Sequence, residues 1–455
     1  MQLPDGPKIH PFFQLIKWLG TPFEFLDDCA KHYGDIFTIR LFGYSPLVFI
    51  ANPEGIQQIF SADPQSFDAG RGNEIFRPLF GDNSLFLLDG DRHKRERKLL
   101  MPPFHGEKIK SYGDSICQTA QKVASEWQVN KPFTARDAMQ KITLEVILQV
   151  VFGLSEGERY EQLKPLLVKR LELTSTPLRA SVVFFKFLQK DWGAWSPWGQ
   201  FLRLRDKIYD LLSAEINDRR ANPQDQSNDI LSLMLSATDE DGRPMTDEEL
   251  REEMITLLIA GYETTASALA WAFYWVHKLP EVKEKLLQEI DSLGENPNPM
   301  EIFRLPYLTA VCQESLRIYP VAVTAVARIT NSTVEIMGRQ FEANTRLLVS
   351  IYSTHHREDL YPNSKQFLPE RFIERNYSPY EFIPFGGGNR LCLGNALAML
   401  EMKLVLGTVL SSYQLALADD RPVKPKRRGV TVAPSNGVPL VMTGKRAAKK
   451  AVFAK

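Results

Sequence analysis

The sequence predicts a mainly α protein with a small β-rich lobe, and three observations carry that expectation. From about Pro53 to Ser292 the apolar residues recur mostly at helical spacing. Short alternating, turn-rich segments lie at about 36–50, 321–361 and 429–442. A glycine cluster ending at Gly394 runs directly into an apolar helical stretch, Asn395 to Ser412. The helical lobe is therefore expected mainly over 53–320 and 395–412. At 455 residues the chain could hold about three domains of ordinary size. No repeat or low-complexity linker divides it, so a single catalytic domain over 1–455 is the more economical expectation.

Each element has a local reason. Thr21 to His32 is amphipathic, and Ile36–Leu41 and Leu47–Ile50 alternate around Gly43-Tyr-Ser-Pro46, which predicts a β-hairpin. Lys141–Phe152 and Trp198–Arg220 show clear helical periodicity. The strongest helix signal covers Asp247–Lys278. Thr246 and Glu249 are spaced as a capping box, Asp247, Glu248 and Glu249 load the first turn with negative charge, and Pro280 stops the helix. At 1.5 Å per residue it would be roughly 48 Å long. A further helix is expected from Pro306 to Tyr319, then short strands at Thr333–Ile336 and Arg346–Ser350. Gly429–Met442 predicts a hairpin turning through Pro434-Ser-Asn-Gly437.

Composition excludes several classes. The chain has 55 Lys+Arg and 55 Asp+Glu, so zero formal charge argues against a dedicated nucleic-acid binder. The four cysteines, Cys29, Cys117, Cys312 and Cys392, have no CxxC or zinc-type spacing, so neither a disulfide scaffold nor a zinc site is expected. A reduced, cytoplasmic setting fits that usage. Prolines 4, 7 and 11 break any N-terminal apolar run, and no signal peptide or anchor is expected. Met254–Val276 is long and apolar, but Glu263 at its centre favours a buried helix over a membrane span. The zero charge also hides a basic tail: Arg421–Lys455 holds ten Lys/Arg and no acid. That tail is either a solvated end or a patch for an acidic redox partner or an anionic membrane surface.

The segment Phe385-Gly-Gly-Gly-Asn-Arg-Leu-Cys-Leu-Gly394 carries the most chemistry. Its glycines would let backbone approach a flat, bulky group. A helix starting just beyond it would lower the pKa of the Cys392 thiol, and Arg390 adds positive charge. A phosphate loop would end in Gly-Lys-Ser/Thr, and a dinucleotide fingerprint would need Gly where Leu391 stands. Two readings remain: an axial thiolate on haem iron, or a Gly-rich turn holding an inert cysteine.

The same segment resembles the haem-binding loop of the cytochrome P450 family, Phe-x-x-Gly-x-Arg-x-Cys-x-Gly, with Phe385, Gly388, Arg390, Cys392 and Gly394 in place. Other motifs of that family follow in its order along nearly the whole chain. Glu314-Ser-Leu-Arg317 and Pro369-Glu-Arg-Phe372 resemble its paired structural motifs, which implies a buried network of Glu314, Arg317 and Arg371. Ala260-Gly-Tyr-Glu-Thr-Thr265 resembles its central-helix motif. There the resemblance implies that Gly261 makes room for dioxygen, Thr264 positions a hydrogen bond or water, and Glu263 relays protons. His93, Arg97 and Arg328 fall where the family contacts the haem propionates. His355 and His356 lack metal-site spacing and receive no ligand role.

The resemblance implies a haem-thiolate monooxygenase: haem b ligated by Cys392, O2 as co-substrate, and one oxygen atom inserted into substrate. Its electrons would come from a separate donor, a ferredoxin or flavodoxin with its reductase, docking on a basic face that includes Arg97 and Lys98. Substrate contacts by family position are Phe76, Leu79, Phe86, Leu257, Ala260, Gly261, Ala322, Val323, Pro434 and Ser435, mostly apolar. They suggest a fatty acid, hydrocarbon or terpenoid. Val182–Leu188 with Trp192, Trp195 and Trp198 would form an access lid, a peripheral membrane contact or ordinary packing. A monomer is expected. The alternatives are a peroxide-driven or isomerising P450, against which the Glu263–Thr264 pair speaks, and a non-enzymatic haem carrier or gas sensor.

Overall fold

The computed structural model describes residues 3–173, 188–222 and 228–446. The Val182–Phe187 part of the expected lid and the final residues of the basic tail lie outside the described residues. The chain divides into two compact units. The first comprises Met1–Asp68, Ile116–Ile142 and Thr264–Lys455, and the second Ala69–Ser115 and Thr143–Glu263.

The first unit holds the sheets. Ile36–Ile39 (β1) and Leu47–Ile50 (β2) pair antiparallel as the predicted hairpin, with Gly43 at φ +81° in the connection. Strand β2 then pairs parallel with Arg346–Val349, and the sheet is completed by Arg328–Thr330 and Phe67–Asp68. The mostly buried pattern of these strands packs Phe37, Phe49 and Ile39 against Trp18, Phe23 and Leu26 of the N-terminal helices. Val334–Ile336 and Arg339–Phe341 form a separate two-stranded ribbon.

The expected hairpin at 429–442 is corrected. Thr431–Pro434 pairs backwards with Pro425–Arg428, whereas Pro439–Lys445 is the centre of another sheet, between Pro132–Thr134 and Tyr413–Leu417. Gly437 and Val438 both adopt left-handed backbone, at φ +73° and +62°. Their carbonyls accept the N–H groups of Arg136 and Ala135 at 2.9 and 2.8 Å. The turn residues therefore dock onto the start of the Ala135–Val150 helix, and the strands diverge.

The long helix runs from Asp247 to Lys278 as predicted. Its capping box is formed: Glu249 N–H donates to Thr246 Oγ1 at 3.2 Å, and Thr246 N–H to Glu249 Oε2 at 2.8 Å. No helix among the described residues is long and apolar enough to cross a membrane. In the second unit, Pro197–Ala221 and Glu158–Glu172 are the longest helices besides the N-terminal half of this one, and the Ala135–Val150 helix divides between the units after Ile142.

Candidate active site

The Cys392 loop is built from its braces inward. The Pro306–Ile318 helix carries Glu314 and Arg317, both with fully buried side chains. Three-residue spacing puts them on one face, and Arg317 donates to both Glu314 oxygens at 2.6 and 2.8 Å. Its guanidinium also donates to the carbonyls of His355, Ser364 and Gln366 at 2.8, 2.8 and 3.0 Å. Arg371 joins through Nε to Glu314 Oε1 at 3.2 Å, and Leu368 N–H meets the same oxygen at 2.8 Å. One carboxylate and two guanidinium groups thus tie a helix to the irregular chain that leads into the loop.

The next brace is a histidine. His355 is fully buried, lies parallel to the Phe382 ring, and its Nε2 accepts the Ile383 N–H at 2.9 Å. Burial and the nearby Arg317 pull its pKa down to about 3, so it is a neutral acceptor. His356 is likewise pulled well down by burial, and its Nδ1–H donates to the Tyr352 carbonyl at 2.9 Å. Among the described residues, no cluster of three or more His, Cys, Asp or Glu side chains could hold a metal ion.

Two of the loop glycines are needed for a reason the sequence did not suggest. A Cβ on Gly387 would lie 2.3 Å from the Phe60 ring, and one on Gly388 would lie 2.4 Å from the Phe60 carbonyl oxygen. Gly386 and Gly388 also have φ of +69° and +64°. The glycines therefore let the loop close onto the Pro53–Phe60 helix. Gly394, by contrast, has open space where its Cβ would be. The Cys392 N–H donates to the Phe385 carbonyl at 3.0 Å, Asn395 Nδ2 donates to the Cys392 carbonyl at 2.8 Å, and the Asn395–Ser412 helix begins three residues after Cys392. Arg328 is buried on its strand, with Nη1 on the Val326 carbonyl at 3.0 Å and Nη2 on Gly387 at 3.5 Å.

The cysteines separate by chemistry. Cys392 is exposed, whereas Cys29 and Cys312 are buried and desolvation pushes both thiols up to about 12. Cys117 receives a hydrogen bond from Thr408 Oγ1 at 3.4 Å. A soft thiolate donor on a glycine loop before a helix suits haem iron, and the residues present fit that group.

The long helix is buried on most sides, yet Leu257, Ala260, Gly261 and Thr264 are all at least partly accessible. Their spacing places them on one stripe. Glu263 is also partly accessible. A Cβ on Gly261 would come within 3.2 Å of Ile147 Cδ1, and Thr143 Oγ1 donates to the Tyr262 carbonyl at 3.2 Å. Of the remaining predicted contacts in the first unit, Ala322 is partly accessible and Ser435 is exposed. Val323 and Pro434 are buried, Val323 in the core around Phe23 and Tyr352.

In the second unit His93 is buried and Arg97 half-buried on the Gly90–Leu100 helix. The neighbouring Lys98 is exposed and pairs with Glu240 at 2.5 Å. Phe76, Leu79 and Phe86 join one apolar cluster with Phe80 and Phe201, the Phe76 and Phe86 rings 5.6 Å apart. Sequence reasoning missed what holds this segment. Asp89 accepts the backbone N–H groups of Ala69, Gly70 and Arg71 at 2.8, 2.8 and 2.9 Å. Glu252 accepts that of Asn83 at 2.6 Å, and Glu253 that of Leu85. Burial pushes both glutamates up, Glu253 well above the carboxylate range. Trp192 and Trp195 are exposed and parallel, with centroids 6.0 Å apart, while Trp198 packs on Phe201.

Comparison with known proteins agrees with this architecture. The cytochrome P450 family profile matches residues 4–441. The chain is 35% identical over 442 residues to cytochrome P450 135B1 of Mycobacterium bovis, covering 96% of this chain and 90% of that protein. It is 32% identical to cytochrome P450 135A1 of Mycobacterium tuberculosis, covering 98% and 96% of the two chains. Two solved structures superpose with a TM-score of 0.82 and 24% identity. One is a cyanobacterial P450 with retinoic acid bound, covering 97% of this chain and 100% of that one; the other is the P450DA haem domain, covering 98% of each. The chain belongs to the cytochrome P450 family, whose members are in general haem-thiolate monooxygenases that use O2 as co-substrate.

Proposed function

We propose that this protein is a monooxygenase that inserts one oxygen atom from O2 into an apolar small molecule, with Cys392 as the axial ligand of haem b. The carrying observation is the contrast among the thiols: Cys392 is exposed on a helix-leading loop, while burial keeps Cys29 and Cys312 protonated. When bound, haem supplies reductive activation of O2 for insertion into a C–H bond. Phe385, Arg390 and Gly394 shape the cradle. Arg328 in the first unit, and His93 and Arg97 in the second, are the residues we assign to the propionates.

Thr264 holds a hydrogen bond or an ordered water for proton delivery, and Glu263 exchanges protons with solvent; both residues are partly accessible. Leu257, Ala260 and Gly261 present the apolar stripe on which substrate rests, with Phe76, Leu79 and Phe86 as further substrate contacts. A fatty acid, hydrocarbon or terpenoid fits that lining. A separate ferredoxin or flavodoxin supplies electrons, steered by basic residues including Arg97 and Lys98. Reduction should therefore slow as salt rises.

The test is oxygen accounting in Thr264→Ala. Loss of a positioned proton donor is expected to lower product formed per O2 consumed by about tenfold or more, general acid catalysis contributing roughly 10²–10⁴-fold to a rate. The missing oxygen should appear as hydrogen peroxide. Undiminished coupling in this variant would remove Thr264 from the proton path.

A further inference from the structure

The Glu158–Glu172 helix of the second unit turns Tyr160, Leu163, Leu167 and Arg170 inward. The spacing is that of an apolar stripe, and its last position is filled by a cation. Arg170 is 2% exposed. Its Nη2 donates to the Leu79 carbonyl at 2.5 Å, and its guanidinium lies 5.1 Å from the centroid of the Phe201 ring. Among the described residues, Nε and Nη1 are buried with no hydrogen-bond partner. Among the described residues, the groups that act on it electrostatically are Tyr209 and Arg205, neither of them a carboxylate. Burial draws its pKa down to about 10, which leaves it charged at neutral pH. A buried guanidinium with one neutral acceptor and no counter-ion is costly unless something else completes it.

Its surroundings name the chemistry. Leu79, to whose carbonyl it donates, packs with Phe76, Phe80 and Phe86, and Phe201 beneath the guanidinium belongs to the same cluster. A ligand that satisfies both the ring cluster and the cation is an apolar body ending in an anion. We infer that Arg170 is a specificity-determining residue that binds the carboxylate of an acidic apolar substrate, a fatty acid or terpenoid acid, through Nε and Nη1. This rests on the reading of Phe76, Leu79 and Phe86 as substrate contacts. It narrows the substrate class from apolar molecules in general to carboxylic acids.

The test uses the haem-loaded full chain at pH 7.5 and two matched probe pairs: hexadecanoic acid with its methyl ester, and abietic acid with its methyl ester. Dissociation constants are measured by the spin-state shift of the haem band and, independently of spin state, by equilibrium dialysis. At least one acid should bind about tenfold or more tighter than its ester, the size expected for charge-assisted hydrogen bonds. Arg170→Met should bring the acid to the affinity of the ester and leave ester binding unchanged. Arg170→Lys, which keeps the charge, should retain part of the preference and serves if the Met variant does not fold. Equal binding of acid and ester in the native protein overturns this inference and leaves the apolar-substrate reading standing. So does an acid preference that survives in Arg170→Met, which would make the residue a structural clamp on Leu79. Failure of every probe to bind overturns the apolar-substrate reading, and this inference with it.

Discussion

Arg317 in one unit and Arg170 in the other are both buried guanidinium groups on helices, yet their surroundings differ. Arg317 meets both oxygens of Glu314 and three backbone carbonyls. Arg170 meets one carbonyl, and among the described residues two of its nitrogens have no hydrogen-bond partner. The carboxylates show the same contrast. Glu314 sits between two cations, whereas Glu96 and Glu253 in the second unit are raised by burial and by other glutamates. A scaffold that must hold a ligand loop in one geometry favours charges that complete one another. A region that receives variable molecules can leave charge incomplete until they arrive. On this account the completed Glu314 network holds the Cys392 loop in place, while the incomplete Arg170 site selects among substrates.

The largest effect should come from breaking the completed network. Glu314→Ala leaves the Arg317 and Arg371 cations buried without their carboxylate, and should cost about 3–5 kcal/mol. Chemical denaturation of the holoprotein, with haem retention as a second readout, checks this. A loss below 1 kcal/mol would erase the contrast between the units.

Gly388→Ala probes the loop itself. Left-handed backbone alone should cost about 1–2 kcal/mol, and the contact with the Phe60 carbonyl adds to it. The melting temperature should fall, whereas Asn389→Ala, on an exposed neighbour, should leave it nearly unchanged.

The smallest effect concerns the second unit and pH. Burial and Glu249 raise Glu96 from an ordinary value of 4.5 to about 7, with Arg95 opposing. A carboxyl raised on folding binds its proton more tightly in the folded state. Its contribution is greatest below the unfolded value, declines as pH rises from about 4.5 to about 7, and is flat above that. Glu96→Gln should lack this decline. It should be more stable than the native protein at pH 8 by on the order of 1 kcal/mol, because the change also removes the attraction to Arg95. Parallel pH profiles for the two proteins would show that this charge is already compensated.

What the sequence made legible was local. The capping box at Thr246 and Glu249, the hairpin at 36–50, and the Cys392 loop with its following helix each depend on residues a few positions apart. The three-residue spacing of Glu314 and Arg317 was visible, but their union with Arg371 was reached only through the family resemblance. What stayed hidden depends on distant chain. Asp89 holds backbone nineteen residues away, and Glu253 holds Leu85 across 168 positions. No periodicity reports such contacts. Arg170 was hidden for the opposite reason, since a charge on a helix ordinarily means a solvated face. The turn at 434–437 resembled a hairpin because turn residues set a bend and not the strand it leads to.

The central claim is that Cys392 supplies a thiolate to haem iron, and the reduced, carbon-monoxide-bound absorption spectrum tests it most directly. Native holoprotein should show the strongly red-shifted band characteristic of thiolate-ligated haem, and Cys392→Ser should lose that band while Cys29→Ser and Cys312→Ser keep it. Absence of the band in intact native holoprotein, or its persistence in Cys392→Ser, would contradict the account.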